Sequence, residues 1–249
     1  MSEDVTRAAT SPGPAVRLKV LSAGAVKYVV TDFAPMYTHE TGDHIEFTFG
    51  TIGMVQRRLQ NGETADIVMG TAPAIAQLEQ AGLLVAGSRT ELGRTLTGIC
   101  VRADAPMPDI STPDRFKQAM LDARSVAYTN PQAGGTSGIF LVGLLQRLGI
   151  ADAIGQKALL CINGDDVVER VLAGDAEIGS TFISEIVPVK GVTLVGSLPD
   201  GIQNATDYAA GVMTASANRA AAARFIAMLT APAHQDSWVS LGFEPAGRG

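Results

Sequence analysis

Residue spacings that would signal a metal or redox centre are missing from this chain. It has two cysteines and three histidines, with neither a C-x-x-C pair nor an H-E-x-x-H run. Cys100 and Cys161 each sit in an apolar run, Gly98-Ile99-Cys100-Val101 and Leu159-Leu160-Cys161-Ile162, and read as inert core positions. Charged residues make up 18%, the formal net charge is −6, and no block of Lys or Arg occurs. Nucleic acid is thereby excluded as a partner, because phosphate contacts need a basic face. A small anion is not excluded, since backbone dipoles hold anions without net positive charge. No apolar run is long enough to span a bilayer.

Glycine, by contrast, is plentiful, and it is placed informatively. Gly134-Gly135-Thr136-Ser137-Gly138 follows a strand-like run from Ser125 to Pro131 and opens an apolar helix that runs to Leu148-Gly149. A helix that opens on glycines and hydroxyls leaves its first N–H groups and its positive dipole end free, which suits an anion. The commoner use of such residues is an ordinary Ser or Thr cap. Two further turns have the same character. Ser22-Ala23-Gly24-Ala25 joins a strand to a helix from Lys27 to Thr41, and Gly50-Thr51-Ile52-Gly53 joins a strand from His44 to a helix from Met54 to Asn61. Each alone is explicable as turn chemistry; together they predict helix N-termini converging on one ligand.

Strand and helix patterns alternate through the chain, the signature of an α/β fold with mainly parallel sheets. A strand is expected over 65–69, a helix over 73–82 with Thr71 as N-cap, a strand over 97–102, and a helix from Thr112-Pro113 to Leu121. Beyond 125 the expected strands are 157–162, 178–182, 192–198 and 208–214. Helices are expected from Asp165 to Leu172, from Asn218 to Leu229, and from Gln235 to Leu241, the last carrying the lone tryptophan, Trp238. The division reads as an arm over 1–16, one lobe from 17–99 with 207–249, and a second lobe over 100–206. The arm carries no apolar segment after a basic start, so the chain reads as cytoplasmic as written, and as periplasmic if its true start lies upstream.

The three turns, together with Gly62-Glu63-Thr64-Ala65-Asp66 and in this order, resemble the molybdate-binding-like family of type II solute-binding proteins over about residues 17 to 245. The resemblance implies a two-lobed type II periplasmic-binding-protein fold, each lobe a mainly parallel sheet flanked by helices, with an anion held between lobes. It also implies oxyanion contacts from a Ser in the first turn, a Ser in the second, a small residue in the third and a late Tyr. These positions fall on Ala25, Ile52, Ser137 and Phe182. Three hydroxyls are lost and one is gained. Each hydrogen bond missing from a charged group costs roughly 1.5–3 kcal/mol, which points away from molybdate and towards an organic carboxylate. Ser22, Thr51, Thr136, Ser180 and Thr181 remain as differently placed donors. The expected ligand-binding set is Ser22, Gly24, Ala25, Thr51, Ile52, Gly53, Gly135, Thr136, Ser137, Gly164, Thr181 and Phe182.

The same family resemblance implies delivery to the membrane component of an ABC-type uptake system, by a monomer without cofactor or metal. It includes an aconitate-isomerase-like branch, and a soluble isomerase of an unsaturated tricarboxylate, or an intracellular sensor, is the alternative. Proton transfer at carbon needs a base and preorganised donors. Lys27, Asp165 and Glu185 are the candidates. Each also has an ordinary use: Lys27 as a solvated first-turn residue, Asp165 as a helix cap, Glu185 as a surface carboxylate.

Overall fold

The computed structural model describes residues 15–244. Its chain order is β1 (Arg17–Ala23), α1 (Lys27–Thr41), β2 (His44–Gly50), α2 (Ile52–Gln60), β3 (Ile67–Thr71), α3 (Ala72–Gln80), β4 (Thr90–Arg102), α4 (Pro113–Asp122), β5 (Val126–Thr129) and α5 (Thr136–Arg147). There follow α6 (Ala151–Gly155), β6 (Ala158–Cys161), α7 (Gly164–Ala173), β7 (Ile178–Phe182), α8 (Ile183–Ile186), β8 (Val192–Ser197), β9 (Ala205–Val212), α9 (Arg219–Leu229), α10 (Gln235–Ser240) and β10 (Phe243–Glu244).

The strands join in the order β2-β1-β3-β9-β4-β7-β5-β6, with β8 and β10 also on β4. Pairs within each lobe, β1 with β2 and β3, and β5 with β6 and β7, are parallel. The exceptions are β4 and β9. Thr90 to Leu96 of β4 pairs antiparallel with β9, whereas Thr97 to Cys100 pairs antiparallel with β7. One strand thus serves both halves of the curled sheet, which is the two-lobed type II arrangement.

Alternation along β1 sends Leu18 and Val20 to one core with Val29, Phe33, Tyr37 and Phe225, while Leu21 packs on the other face with Val55, Val68 and Ile75. The second lobe is built likewise, with Val126 and Tyr128 facing α5 and Ala127 facing Val167 and Val171 of α7. Strands covered by helices on both sides need apolar residues on both faces, which explains the low charge content.

Several expected boundaries shift. β4 begins at Thr90, seven residues before the expected start, because Thr90 to Leu96 finds its partner in β9 rather than in a local pattern. α2 begins at Ile52, where the Thr51 hydroxyl accepts from Met54 N and starts the helix earlier than the apolar pattern does. Thr71 is the N-cap of α3, but its side chain makes no capping bond. Asp165 does not cap α7: Asn163 does, accepting from Asp166 N at 2.9 Å, and Asp165 is the second residue of the helix. Asp66, which closes the Gly62 to Asp66 stretch, is structural. It accepts from Lys19 N at 2.8 Å and from the Ser216 hydroxyl at 2.6 Å, tying β3 to β1 and to the start of α9. Cys100 and Cys161 are buried and unbonded to each other, and burial pushes both thiols up to about 12. Trp238 is core, its indole N–H donating to Leu229 O at 2.8 Å.

Candidate functional site

The three small-residue turns meet. A cavity of about 30 Å³ lies between the lobes, lined by Ala23, Gly24 and Ala25 after β1, by Gly50, Thr51 and Ile52 after β2, and by Gly135, Thr136 and Ser137 at the start of α5. Thr129, Asn163, Gly164, Glu185 and Tyr208 complete the wall. Such a space admits roughly one or two waters, so entry of an organic ligand requires the lobes to part. A larger open groove of about 310 Å³ lies on the outer face of the second lobe, beside Met107 and α4. In it Asp109 is paired with Arg115 at 3.6 Å and Glu177 with Arg124 at 3.2 Å, and Asp122 accepts from Gln118 Nε2 at 2.7 Å.

The lobes meet directly at the cavity rim. The Thr51 hydroxyl donates to Ala133 O at 2.5 Å, Gly53 N to Gly134 O at 3.2 Å, and Arg57 Nη2 to Ala133 O at 3.1 Å. The approach is possible only because both Gly53 and Gly134 lack side chains: a Cβ on Gly53 would stand 2.7 Å from the Gly134 Cα. On the opposite rim Lys27 Nζ lies 2.7 Å from Asp165 Oδ2, and the Tyr28 hydroxyl donates to Asp165 Oδ1 at 3.3 Å.

Helix starts around the cavity differ in how much they leave unsatisfied. α2 is capped by Thr51 and α7 by Asn163, but α5 has Gly135 as N-cap and no side-chain bond. Its first N–H groups therefore remain for a ligand, with the helix dipole behind them. Two hydroxyls stand beside them. Ser137 is buried in the first turn, and Thr129 is 1% exposed with its Oγ1 unpartnered. A buried hydroxyl without a partner costs about 1–3 kcal/mol, a cost that a bound oxygen would remove.

Glu185 is the unexpected element. Rather than a surface carboxylate, it is 5% exposed, and α8 turns its side chain back under the cavity floor. Its Oε2 accepts from the Thr181 hydroxyl at 2.5 Å and from Phe182 N at 3.3 Å. The carboxyl lies against two glycines of opposite lobes. A Cβ on Gly164 would come 1.9 Å from Oε2, and one on Gly24 would come 3.3 Å from Oε1. Burial raises its pKa, the Asp165 carboxylate adds to the rise, and Thr181, Phe182 N and Lys27 pull it back, leaving it at about 7. It is therefore poised to hold or release a proton near neutrality.

Of the expected ligand set, Gly24, Ala25, Thr51, Ile52, Gly135, Thr136, Ser137 and Gly164 line the cavity. Gly53 lies at the rim contact instead. Thr181 and Phe182 are set behind the lining, the first under Glu185 and the second in the core of the first lobe. Ser22 is fully buried with its hydroxyl turned to Ala23 O at 3.0 Å, so it offers nothing to the cavity. Of the catalytic candidates Glu185 alone reaches the lining; Lys27 and Asp165 pair with each other at the rim. Thr129, Asn163 and Tyr208 were missed. Thr129 and Tyr208 read as strand residues, and only the pairing of distant strands shows their side chains ending at the cleft.

A family model described as bacterial extracellular solute-binding protein matches residues 18–244. An aconitate isomerase from Pseudomonas sp is 33% identical over 217 residues, 85% of this chain and 80% of that protein. The molybdate-binding protein ModA of Escherichia coli K12 is 20% identical over 229 residues, 91% of this chain and 88% of that protein. Among solved structures, the Azotobacter vinelandii periplasmic molybdate-binding protein superposes with a TM-score of 0.77 at 18% identity, covering 91% of this chain and 98% of its own. The sulfate-binding protein SubI of Mycobacterium tuberculosis gives 0.74 at 16% identity, covering 94% and 88%.

Proposed function

We propose that this chain, which belongs to the bacterial extracellular solute-binding protein family, closes on an unsaturated tricarboxylate and shifts a proton along it, as an aconitate isomerase would. The observation that carries the reading is Glu185. An ionised carboxyl on the floor of a cleft that only captures a compact dianion would repel it in a buried space. A base for carbon acid chemistry belongs there, with a pKa near the working pH. The 33% identity to an aconitate isomerase supports the same reading.

The reaction balances without cofactor, water or redox partner. Glu185 takes a proton from the methylene beside the double bond, and the C–H electron pair becomes the new double bond. The old double-bond pair then takes a proton from Glu185 at the far carbon. Negative charge that develops on the adjoining carboxylate is met by the uncapped N–H groups of α5 and by the Thr129 and Ser137 hydroxyls, a preorganised set of donors. Closure about β4 and β9 excludes water and strengthens these contacts.

Glu185→Gln tests the assignment. Turnover of trans-aconitate should fall by about 10²–10⁴-fold, the usual contribution of a general acid–base group, while affinity for tricarballylate, the saturated analogue, stays within about threefold. Retained turnover in the variant overturns it. A second reading, carboxylate capture for an ABC-type transporter, draws on the same Glu185 held protonated as a hydrogen-bond donor to the anion. It predicts tight tricarboxylate binding with no conversion.

A further inference from the structure

Loss of the late Tyr hydroxyl at Phe182 leaves the cavity without an aromatic donor from the position where the family resemblance places one, yet a phenol still stands at the cavity wall. Tyr208 lies on β9, opposite Thr71 of β3 and Gly93 of β4, on the pair of strands that cross between lobes. Its ring packs edge-on against Phe182, with centroids 5.9 Å apart at 89°, and against Phe243 at 6.2 Å and 79°. The residue is 2% exposed, and the cavity is among the surfaces it lines.

The placement follows from the pattern of β9. Thr206, Tyr208, Ala210 and Val212 alternate inward, and Tyr208, Ala210 and Val212 share the core of the first lobe with Phe182 and Ala25. Tyr208 is the member of that row nearest the cleft. Two aromatic rings, Phe243 from β10 and Phe182 from the end of β7, fix its orientation, so little side-chain entropy is left to lose when its hydroxyl meets a ligand. Glu185 lines the same small cavity as Tyr208.

We infer that the Tyr208 hydroxyl is a substrate-contacting donor, set beside Glu185 to hydrogen-bond the substrate carboxylate whose charge grows as the proton leaves carbon. In effect the aromatic donor has moved from β7 to β9, and the Phe182 ring has become its support. Burial and the neighbouring Glu185 carboxyl both hold the phenol's pKa well above its ordinary value, so it donates and does not ionise during the cycle. This inference rests on the proton-shift reading of the same cleft.

Tyr208→Phe tests it, because the variant keeps both ring contacts and removes one oxygen. Steady-state turnover of trans-aconitate, calorimetric titration with tricarballylate, and thermal unfolding are compared with the wild-type protein. The expected result is a fall in kcat of about 10²-fold, the cost of one lost oxyanion donor, with a smaller, roughly fivefold loss of tricarballylate affinity and an unchanged melting temperature. A purely structural Tyr208 would lower the melting temperature and leave kcat per folded molecule unchanged. Turnover and affinity both within twofold of wild type overturn the inference while leaving the isomerase reading intact. A wild-type protein that binds tricarballylate without converting aconitate overturns the isomerase reading; Tyr208 then keeps its role as donor only if the variant still loses affinity. Should the wild type neither bind nor convert, both fall together.

Discussion

Replacing Glu185 by Gln should change the pH dependence of stability more than stability itself. In the folded chain the carboxyl stays protonated to about pH 7, whereas its ordinary value is 4.5. Between those values the folded state holds a proton that the unfolded state has released, so stability falls as pH rises. The contribution is fully present below about 4.5 and is lost by the time pH has risen through about 7. At about 1.4 kcal/mol per unit, the shift amounts to about 3 kcal/mol. Gln has the same shape, can accept from Thr181 and Phe182 N, and does not titrate. Denaturant unfolding of both proteins at about pH 4 and about pH 8 should therefore show the stability difference moving by about 3 kcal/mol in favour of Glu185→Gln at the higher pH. For a chain of this size that corresponds to roughly 6–12 °C in Tm. Asp165, Lys27, Tyr28 and Tyr208 face the same region, but all are present in both proteins and cancel in the difference. A constant difference across the range would show that Glu185 is not held neutral, and the assignment of the base would fail with it.

Three further outcomes follow from the same geometry. The kcat/KM for trans-aconitate should climb about tenfold per unit below about pH 7 and level above it, because the base must be ionised; a flat profile from pH 5 to 8 would remove Glu185 from the step. Gly164→Ala puts a methyl where the Glu185 carboxyl lies, 1.9 Å from Oε2, so it should cost about 1–3 kcal/mol in denaturant unfolding and at least tenfold in turnover, whereas retention of both would mean that the carboxyl has room to move. Gly53→Ala inserts a Cβ between the touching rims and should weaken tricarballylate binding by about tenfold while widening the particle in small-angle scattering; unchanged affinity would show that the Gly53–Gly134 contact plays no part in closure.

The sequence was most legible where signals are local. The Gly134 to Gly138 stretch announced an uncapped helix start, and α5 does open there with Gly135 in the N-cap position and no capping side chain. Strand β7 and helix α1 fall on their expected bounds, since apolar alternation and a terminal Gly42 are read within a few residues. What stayed hidden depends on contacts between distant segments. Nothing around Glu185 in sequence shows that Gly24 and Gly164, 161 and 21 residues away, leave the space its carboxyl fills. The partnering of Lys27 with Asp165 spans 138 residues, and the early start of β4 exists because β9, far along the chain, is there to pair with it. Ser22 misled for the opposite reason: a hydroxyl in a turn looks like a donor until its own neighbour's carbonyl takes it.

Proton NMR of trans-aconitate incubated with the wild-type protein in D₂O tests the central claim most directly. The account predicts that the vinyl signal of the cis isomer grows with time, and that it does not grow in the Glu185→Gln protein. A spectrum that stays unchanged while ligand line broadening reports binding would contradict it, and would leave a protein that captures a tricarboxylate without reacting with it.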